Sequence, residues 1–225
     1  RKHGAAKAEK KSGRATKEGK IISCIKGGKA SLVEVLCETD FVATNQKFID
    51  FITGIADRAA DLNVNGDVSA IVAENEKDNM VGMIATIGEN MQIRRAIEWE
   101  TSGKIASYLH MGGRIGVMVD VEGETDAEFL NDLCMHIAAF NPAYVCKDCI
   151  SAEAIDHEKE IAKAQLGDKP AAMVDKILAG KINKWFTEVC LVNQPWIKDD
   201  KVSLAKLKPN LKVKRFVRWE MGVEL

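Results

Sequence analysis

The sequence predicts an α+β protein made of two related α/β subdomains, each an antiparallel sheet with helices. The second subdomain is interrupted by an antiparallel helical hairpin. Three observations lead there. Runs rich in β-branched residues alternate with apolar patterns of helical period. One block of that pattern occurs twice, about 85 residues apart. The strand that closes the second copy arrives about 35 residues later than the repeat requires, which is room for an inserted element.

Residues 1–20 carry eight Lys or Arg against two Glu. Ala5, Ala6 and Ala8 favour helix and Gly19 offers a stop, so a basic linker helix is expected over 1–20. A solvated face is the plain reading of its charge; an RNA or phosphate contact is the sharper one. Residues 21–26 and 30–37 flank Gly27-Gly28 as a hairpin, the glycines supplying the positive φ of a tight turn. Next comes Cys37-Glu38-Thr39-Asp40-Phe41-Val42-Ala43-Thr44-Asn45, a corner between strand and helix. It sets a carboxylate beside a large aromatic, with no core for either to enter. Phe48, Ile49, Ile52, Ile55, Ala56, Ala59 and Leu62 then recur in three- and four-residue steps, one apolar face of a helix closed by Asn63, Asn65 and Gly66. Shorter helices are expected around 67–74 and 77–87. After a turn at Gly88-Glu89-Asn90, Met91–Glu100 reads as a strand with Met91, Ile93, Arg95, Ile97 and Trp99 on one side.

Then the pattern returns. Gly19-Lys20-Ile21 through Gly27-Gly28-Lys29 matches Gly103-Lys104-Ile105 through Gly112-Gly113-Arg114, and Val33-Glu34-Val35 matches Val119-Asp120-Val121. A helix follows each second strand, at 129–139 in the later copy. Arg94–Glu100 returns as Lys214–Glu220. In the insertion, Ser151 caps a helix holding Ile155, Ile161, Ala162 and Leu166, and Gly167-Asp168-Lys169-Pro170 turns the chain. A second helix follows with Met173, Val174, Ile177, Leu178, Ile182, Trp185, Phe186 and Val189 in its stripe. So short a loop sets the helices antiparallel, and self-packing explains the stripe better than a ligand does. The expected division is 1–20 linker helix, 21–100 first subdomain, 101–150 with 200–225 second subdomain, and 151–199 inserted hairpin.

The chain's 225 residues are 46% hydrophobic and 29% charged, enough for a sizeable core. A net charge of −1 gives no global field toward nucleic acid or membrane. No apolar run approaches a membrane span and no secretory signal opens the chain. Six scattered cysteines read as a reduced, intracellular protein, in cytoplasm or an organelle matrix. Cys146-Lys147-Asp148-Cys149 lacks both the second CxxC of a zinc ribbon and the strand-to-helix setting of a thioredoxin-like site, so chance is the simpler account. The histidines at 3, 110, 136 and 157 are not spaced as a metal set. His110, beside Met111-Gly112-Gly113, reads on spacing alone as a turn residue. Walker, HExxH, GxSxG and dinucleotide motifs are missing. No catalytic residue, metal or cofactor is therefore expected, and the residues favour a binding protein over an enzyme.

Several segments carry a resemblance. Cys37-Glu38-Thr39-Asp40-Phe41-Val42-Ala43 matches a Thr-Asp-Phe-Val signature, and Gly88-Glu89-Asn90-Met91-Gln92-Ile93-Arg94-Arg95 matches a Gly-Glu-Asn-Ile-x-Val-Arg-Arg segment. Tyr108-Leu109-His110 through Val117, His136-Ile137-Ala138-Ala139 with Pro142, and Gln194–Asp199 also fit. Over Gly4 to Gly222 the chain resembles the elongation factor Ts family, guanine nucleotide exchange factors of elongation factor Tu.

The resemblance implies that Asp40 and Phe41, flanked by Thr39 and Val42, intrude into the GTPase domain of Tu near its Mg²⁺ site. It implies that Ile87 and Gly88 support that contact, and that His110 meets the far domain of Tu. Elongation factor Tu is thus the expected partner, with neither membrane nor direct nucleic-acid binding. The family's N-terminal helical domain and C-terminal helix are expected to be missing, and whether the helical hairpin forms a homodimer stays open. Two other readings cover small pieces: an RNA-binding module led by the basic N-terminal helix, and a CxxC redox or metal protein. The second repeat keeps Glu124-Thr125-Asp126 but has no aromatic after the acid. If both halves share a fold, Phe41 is not there for the fold.

Overall fold

Strand β1 (Glu18–Lys26) and strand β2 (Lys29–Cys37) form the expected hairpin, in register from Lys26 opposite Lys29 to Glu18 opposite Cys37. Gly27, at φ +62°, makes the turn. β2 pairs antiparallel with β4 (Met91–Glu100), and β3 (Gly66–Asp67) adds to the far edge in the order β1-β2-β4-β3. The second sheet has the order β5-β6-β9, from Lys104–His110, Ile115–Glu122 and Lys212–Glu220. The computed structural model describes residues 8–166 and 171–223.

Helices cover the outer faces of the two sheets. α1 (Asp40–Ala43) is a single turn. α2 (Gln46–Ala59) lays Phe48, Ile52, Ile55, Ala56 and Ala59 on Val33, Val35 and Cys37, and α3 (Ser69–Asn75) and α4 (Lys77–Ile87) complete that layer. α5 (Ala127–Phe140) does the same for the second sheet, with Leu130, Leu133 and Ile137 against Val117, Val119 and Val121. The inner faces meet around Ile21, Leu32, Trp99 and Met118. The order is therefore helix, sheet, sheet, helix. β2 is buried on both faces from Ala30 to Cys37, which explains why apolar residues occupy both of its faces where a half-exposed strand would alternate. The two polar side chains of that stretch, Ser31 and Glu34, are buried with them. Gly116 is what lets the sheets approach, because a Cβ there would stand 2.4 Å from Ile21 Cγ2.

The repeat extends to side chains. Ser23 and Ser107 share a 3.0 Å hydrogen bond between equivalent positions of the two sheets. The Arg95 guanidinium stacks 4.6 Å from the Trp219 ring centroid, and Arg215 stacks at the same distance on Trp99. Arg95 also donates to Glu220 O at 3.2 Å, and Arg215 to Glu100 O at 3.0 Å.

One expectation about β4 fails for a local reason. Glu34 pairs with Arg95 but Val35 with Ile93, so Arg94 is an extra residue in a β-bulge. The bulge reverses the alternation: Met91 and Ile93 face the helices, whereas Ile97 and Trp99 face the other sheet. The second copy bulges at the matching place, leaving Lys214 between Val213 and Arg215.

Two further boundaries differ from expectation, at the N-terminal helix and at the end of the insertion. Of the predicted N-terminal helix only Ala8 and Glu9 are helical among the described residues; the chain then turns, and β1 has begun by Glu18, with Gly19 inside it. α6 (Ala152–Ala164) is capped by Ser151, whose hydroxyl accepts from Ala154 N–H, and it lies beside α7 (Ala171–Val189). Lys181 Nζ joins the two by donating to Gln165 Oε1 at 2.6 Å. The expected turn at Gly167–Pro170 lies outside the described residues. Beyond Val189 the chain rejoins the second core: Leu191 and Trp196 pack there, and β7 (Pro195–Trp196) pairs with β8 (Asp199–Ser203) ahead of α8 (Leu204–Leu207). Apolar burial, not helical period, sets that end of the insertion.

Candidate functional site

β2 delivers the corner at Glu38-Thr39, and the β2–β4 pairing, with Cys37 opposite Met91, sets Glu89-Asn90 directly across from it. The two corners lock each other. Thr39 N–H donates to Glu89 Oε2 at 3.0 Å and the Thr39 hydroxyl donates to Glu89 Oε1 at 2.7 Å. In the other direction, Asn90 N–H donates to Glu38 Oε1 at 2.6 Å. A third segment joins: the Asn90 amide donates to Ser12 O and Arg14 O, Arg14 pairs with Glu38 at 3.5 Å, and Lys11 Nζ donates to Gly88 O. Burial, followed by the charge of Glu89, pushes the Cys37 thiol up to about 12, so it stays a neutral donor to Thr39 O.

Thr39 is also the N-cap of α1, its hydroxyl oxygen accepting from Val42 N–H at 3.4 Å. The single turn divides its four residues. Val42 and Ala43 point into the first core at 8% and 6% exposure, while Asp40 is exposed and Phe41 stands 82% exposed. Asn45 caps α2 through Lys47 N–H, which fixes the far side of the corner. Among the described residues no cation pairs with the Asp40 carboxylate. A rigidly held turn thus presents one acid and one aromatic to solvent.

Ile87, the last residue of α4, is half-buried against the first core, and Gly88 follows it beside the locked pair. Thr39, Asp40, Phe41, Val42, Ile87 and Gly88 therefore gather at one end of the first sheet, with Val42 facing inward as an anchor. His110 does not join them. It ends β5 on the second sheet, exposed, with Nδ1 3.0 Å from Tyr108 Oη. Met111 follows in the left-handed region at 68% exposure, a side chain that the sequence reading passed over as part of a turn.

The other titratable groups have structural partners. His136 is fully buried between the rings of Phe140 and Trp196, at 4.7 and 5.1 Å, and its Nε2–H donates to Gln194 Oε1 at 3.0 Å. Burial lowers its pKa, so the imidazole is neutral. Among the described residues no three His, Cys, Asp or Glu side chains converge as a metal ligand set. Glu38, Glu89 and Asn90 are what residue-by-residue reasoning missed: they hold the corner without meeting solvent as its tip does. Gly88-Glu89-Asn90 was visible as a turn, but only the strand register shows what it binds.

The family model described as Elongation factor TS matches residues 38–223. Elongation factor Ts of Thioalkalivibrio sulfidiphilus is 42% identical over 238 residues, covering 99% of this chain and 79% of the relative. The protein of the same name from Halothermothrix orenii is 40% identical, covering 99% of this chain and 80% of the relative. That of Protochlamydia amoebophila is 39% identical, with 99% and 85% covered. Taken with the repeated sheets and the laced corner, matches of this extent mean that the chain belongs to the elongation factor Ts family.

Proposed function

We propose that the corner Thr39–Val42 is the probe by which this chain, a nucleotide exchange factor of translation elongation, engages the GTPase elongation factor Tu. One observation carries the reading. Phe41 is 82% exposed on a turn whose neighbours are capped, buried or doubly hydrogen-bonded. An aromatic held so firmly in water has its complement on another surface.

Phe41 enters an apolar seam of the GTPase domain, and the Asp40 carboxylate alters hydrogen bonds near the bound Mg²⁺ and phosphates. Ile87 and Gly88 brace the same contact. His110, on the second sheet, reaches a different domain of Tu, so two separated grips convert binding energy into leverage. No bond is made or broken on this chain. Exchange instead requires tighter binding to nucleotide-free than to nucleotide-bound Tu, and by linkage GDP weakens the complex by the same factor. Such a partner places the chain in cytoplasm or an organelle matrix; no helix among the described residues is long and apolar enough to cross a membrane.

The test is release of labelled GDP from a cognate Tu, with co-purification alongside. Wild-type protein accelerates release and is itself displaced by added GDP. Asp40→Asn binds but releases GDP more slowly. Equal affinity for Tu with and without GDP would exclude the mechanism.

A further inference from the structure

Cys146 and Cys149 lie where the chain leaves the second core for α6. The root of the helical pair is tied together just before them. Ala143 and Tyr144 N–H both donate to Val189 O, at 2.9 and 3.0 Å, Leu191 N–H donates to Tyr144 O at 2.9 Å, and Val192 N–H donates to Val145 O at 3.1 Å. The start of α6 and the end of α7 therefore share one anchorage. Next, Cys149 N–H donates to Cys146 O at 3.1 Å and closes the 3₁₀ turn Lys147–Cys149, which brings the two Sγ atoms 3.1 Å apart. Cys149 is exposed and Cys146 half-buried.

The remaining thiols are differently placed. Cys37, Cys134 and Cys190 are buried, and burial pushes them up to about 12, 12 and 11. Cys24 is accessible in part, with its Sγ–H directed at Asp57 Oδ1. Only the 146–149 pair combines access with a second sulfur in reach. Closing it to a disulfide length of about 2.05 Å needs a movement of about 1 Å within a short turn.

We infer that Cys146 and Cys149 form a dithiol modification site whose substrate is a small-molecule disulfide of the glutathione class. The Cys149 thiol gives its proton to water, and the thiolate attacks one sulfur of that disulfide. The small S–S bond breaks and one thiolate leaves, so Cys149 carries a mixed disulfide. Cys146 then loses its proton to water and attacks Cys149 Sγ, expelling the second small thiolate. The protein pair has lost two protons and two electrons; the small disulfide has become two thiols. Cys149 attacks first because it is the exposed sulfur, and Cys146 resolves. Burial raises the Cys146 thiol pKa, so closure accelerates with pH, about tenfold per unit below that pKa.

The experiment treats reduced, full-length native protein with excess oxidised glutathione, quenches with acid and maps peptides by mass. The expected result is a 146–149 peptide lighter by two hydrogens and free of glutathione. Cys146→Ser should retain one glutathione on Cys149, since the resolving sulfur is gone. The assignment is overturned if the wild-type peptide keeps glutathione as the variant does, or if both of its thiols stay free. The readout is chemical and does not depend on nucleotide exchange.

Discussion

Replacing Phe41 with Ala separates the two roles a side chain can have, holding the fold and binding a partner. Fully burying a Phe side chain is worth about 1.5–3 kcal/mol. With 82% of the residue still exposed in the free protein, about 1.2–2.5 kcal/mol of that remains to be gained in a complex. At about 1.4 kcal/mol per factor of ten, Phe41→Ala should raise the concentration needed for half-maximal GDP release about 7- to 60-fold. The fold has little to lose. Phe41 contributes to none of the buried clusters, so urea unfolding should move by no more than about 0.5 kcal/mol. Phe41→Leu, which keeps much of the apolar area, should recover most of the exchange. The assay is stopped-flow release of a fluorescent GDP analogue from Tu, run beside urea melts of each variant. Undiminished exchange by Phe41→Ala would refute the reasoning, and so would a collapse of its stability.

Other residues give contrasting outcomes. Glu89→Ala strips the acceptor from two Thr39 donors, which should cost about 1–3 kcal/mol and slow exchange although Phe41 is intact; Glu89→Gln, keeping one acceptor, should fall between, as urea melts and GDP release will report. Glu34 is fully buried and accepts from Arg94, Arg95 and Gly222 N–H. Removing it as Glu34→Ala leaves two largely buried guanidiniums without a counter-charge, a loss of about 3–5 kcal/mol. Calorimetry should then show a melting temperature lower by about 6–20 °C. His136 predicts an acid-side loss of stability. Its folded pKa lies below the ordinary 6.5, so the unfolded chain takes up the proton first as pH falls. Stability should be complete above about pH 6.5 and decline as pH drops from there through the folded pKa, a slope in urea midpoints that His136→Phe should flatten.

Much of the fold was legible because it is written in period and repetition. The apolar steps of α2 and the Gly27-Gly28 turn each follow from local rules, and Ser151 capped its helix where a cap was expected. The doubled pattern announced two equivalent sheets. Errors arose where a non-local contact decides. The bulge at Arg94 is invisible to an alternation rule, since it exists to keep both Ile93 and Ala96 on the helical face while Arg95 turns to Glu34 and Trp219. The C-terminal limit of the insertion was set by Leu191 and Trp196 entering a core assembled from distant strands.

The corner shows the same division. Sequence by itself determined the chemistry of the tip: an acid followed by an aromatic, present in the first copy and missing from the second at Asp126-Ala127. It also determined that a strand precedes the tip and a helix follows it. Only the tertiary structure decided that Phe41 projects while Val42 is buried, and that Glu38-Thr39 and Glu89-Asn90 hold each other across about fifty residues of chain. The physical reason is that propensity and period act over a few residues, whereas reciprocal hydrogen bonds between two turns depend on strand register, and register is fixed by the whole sheet.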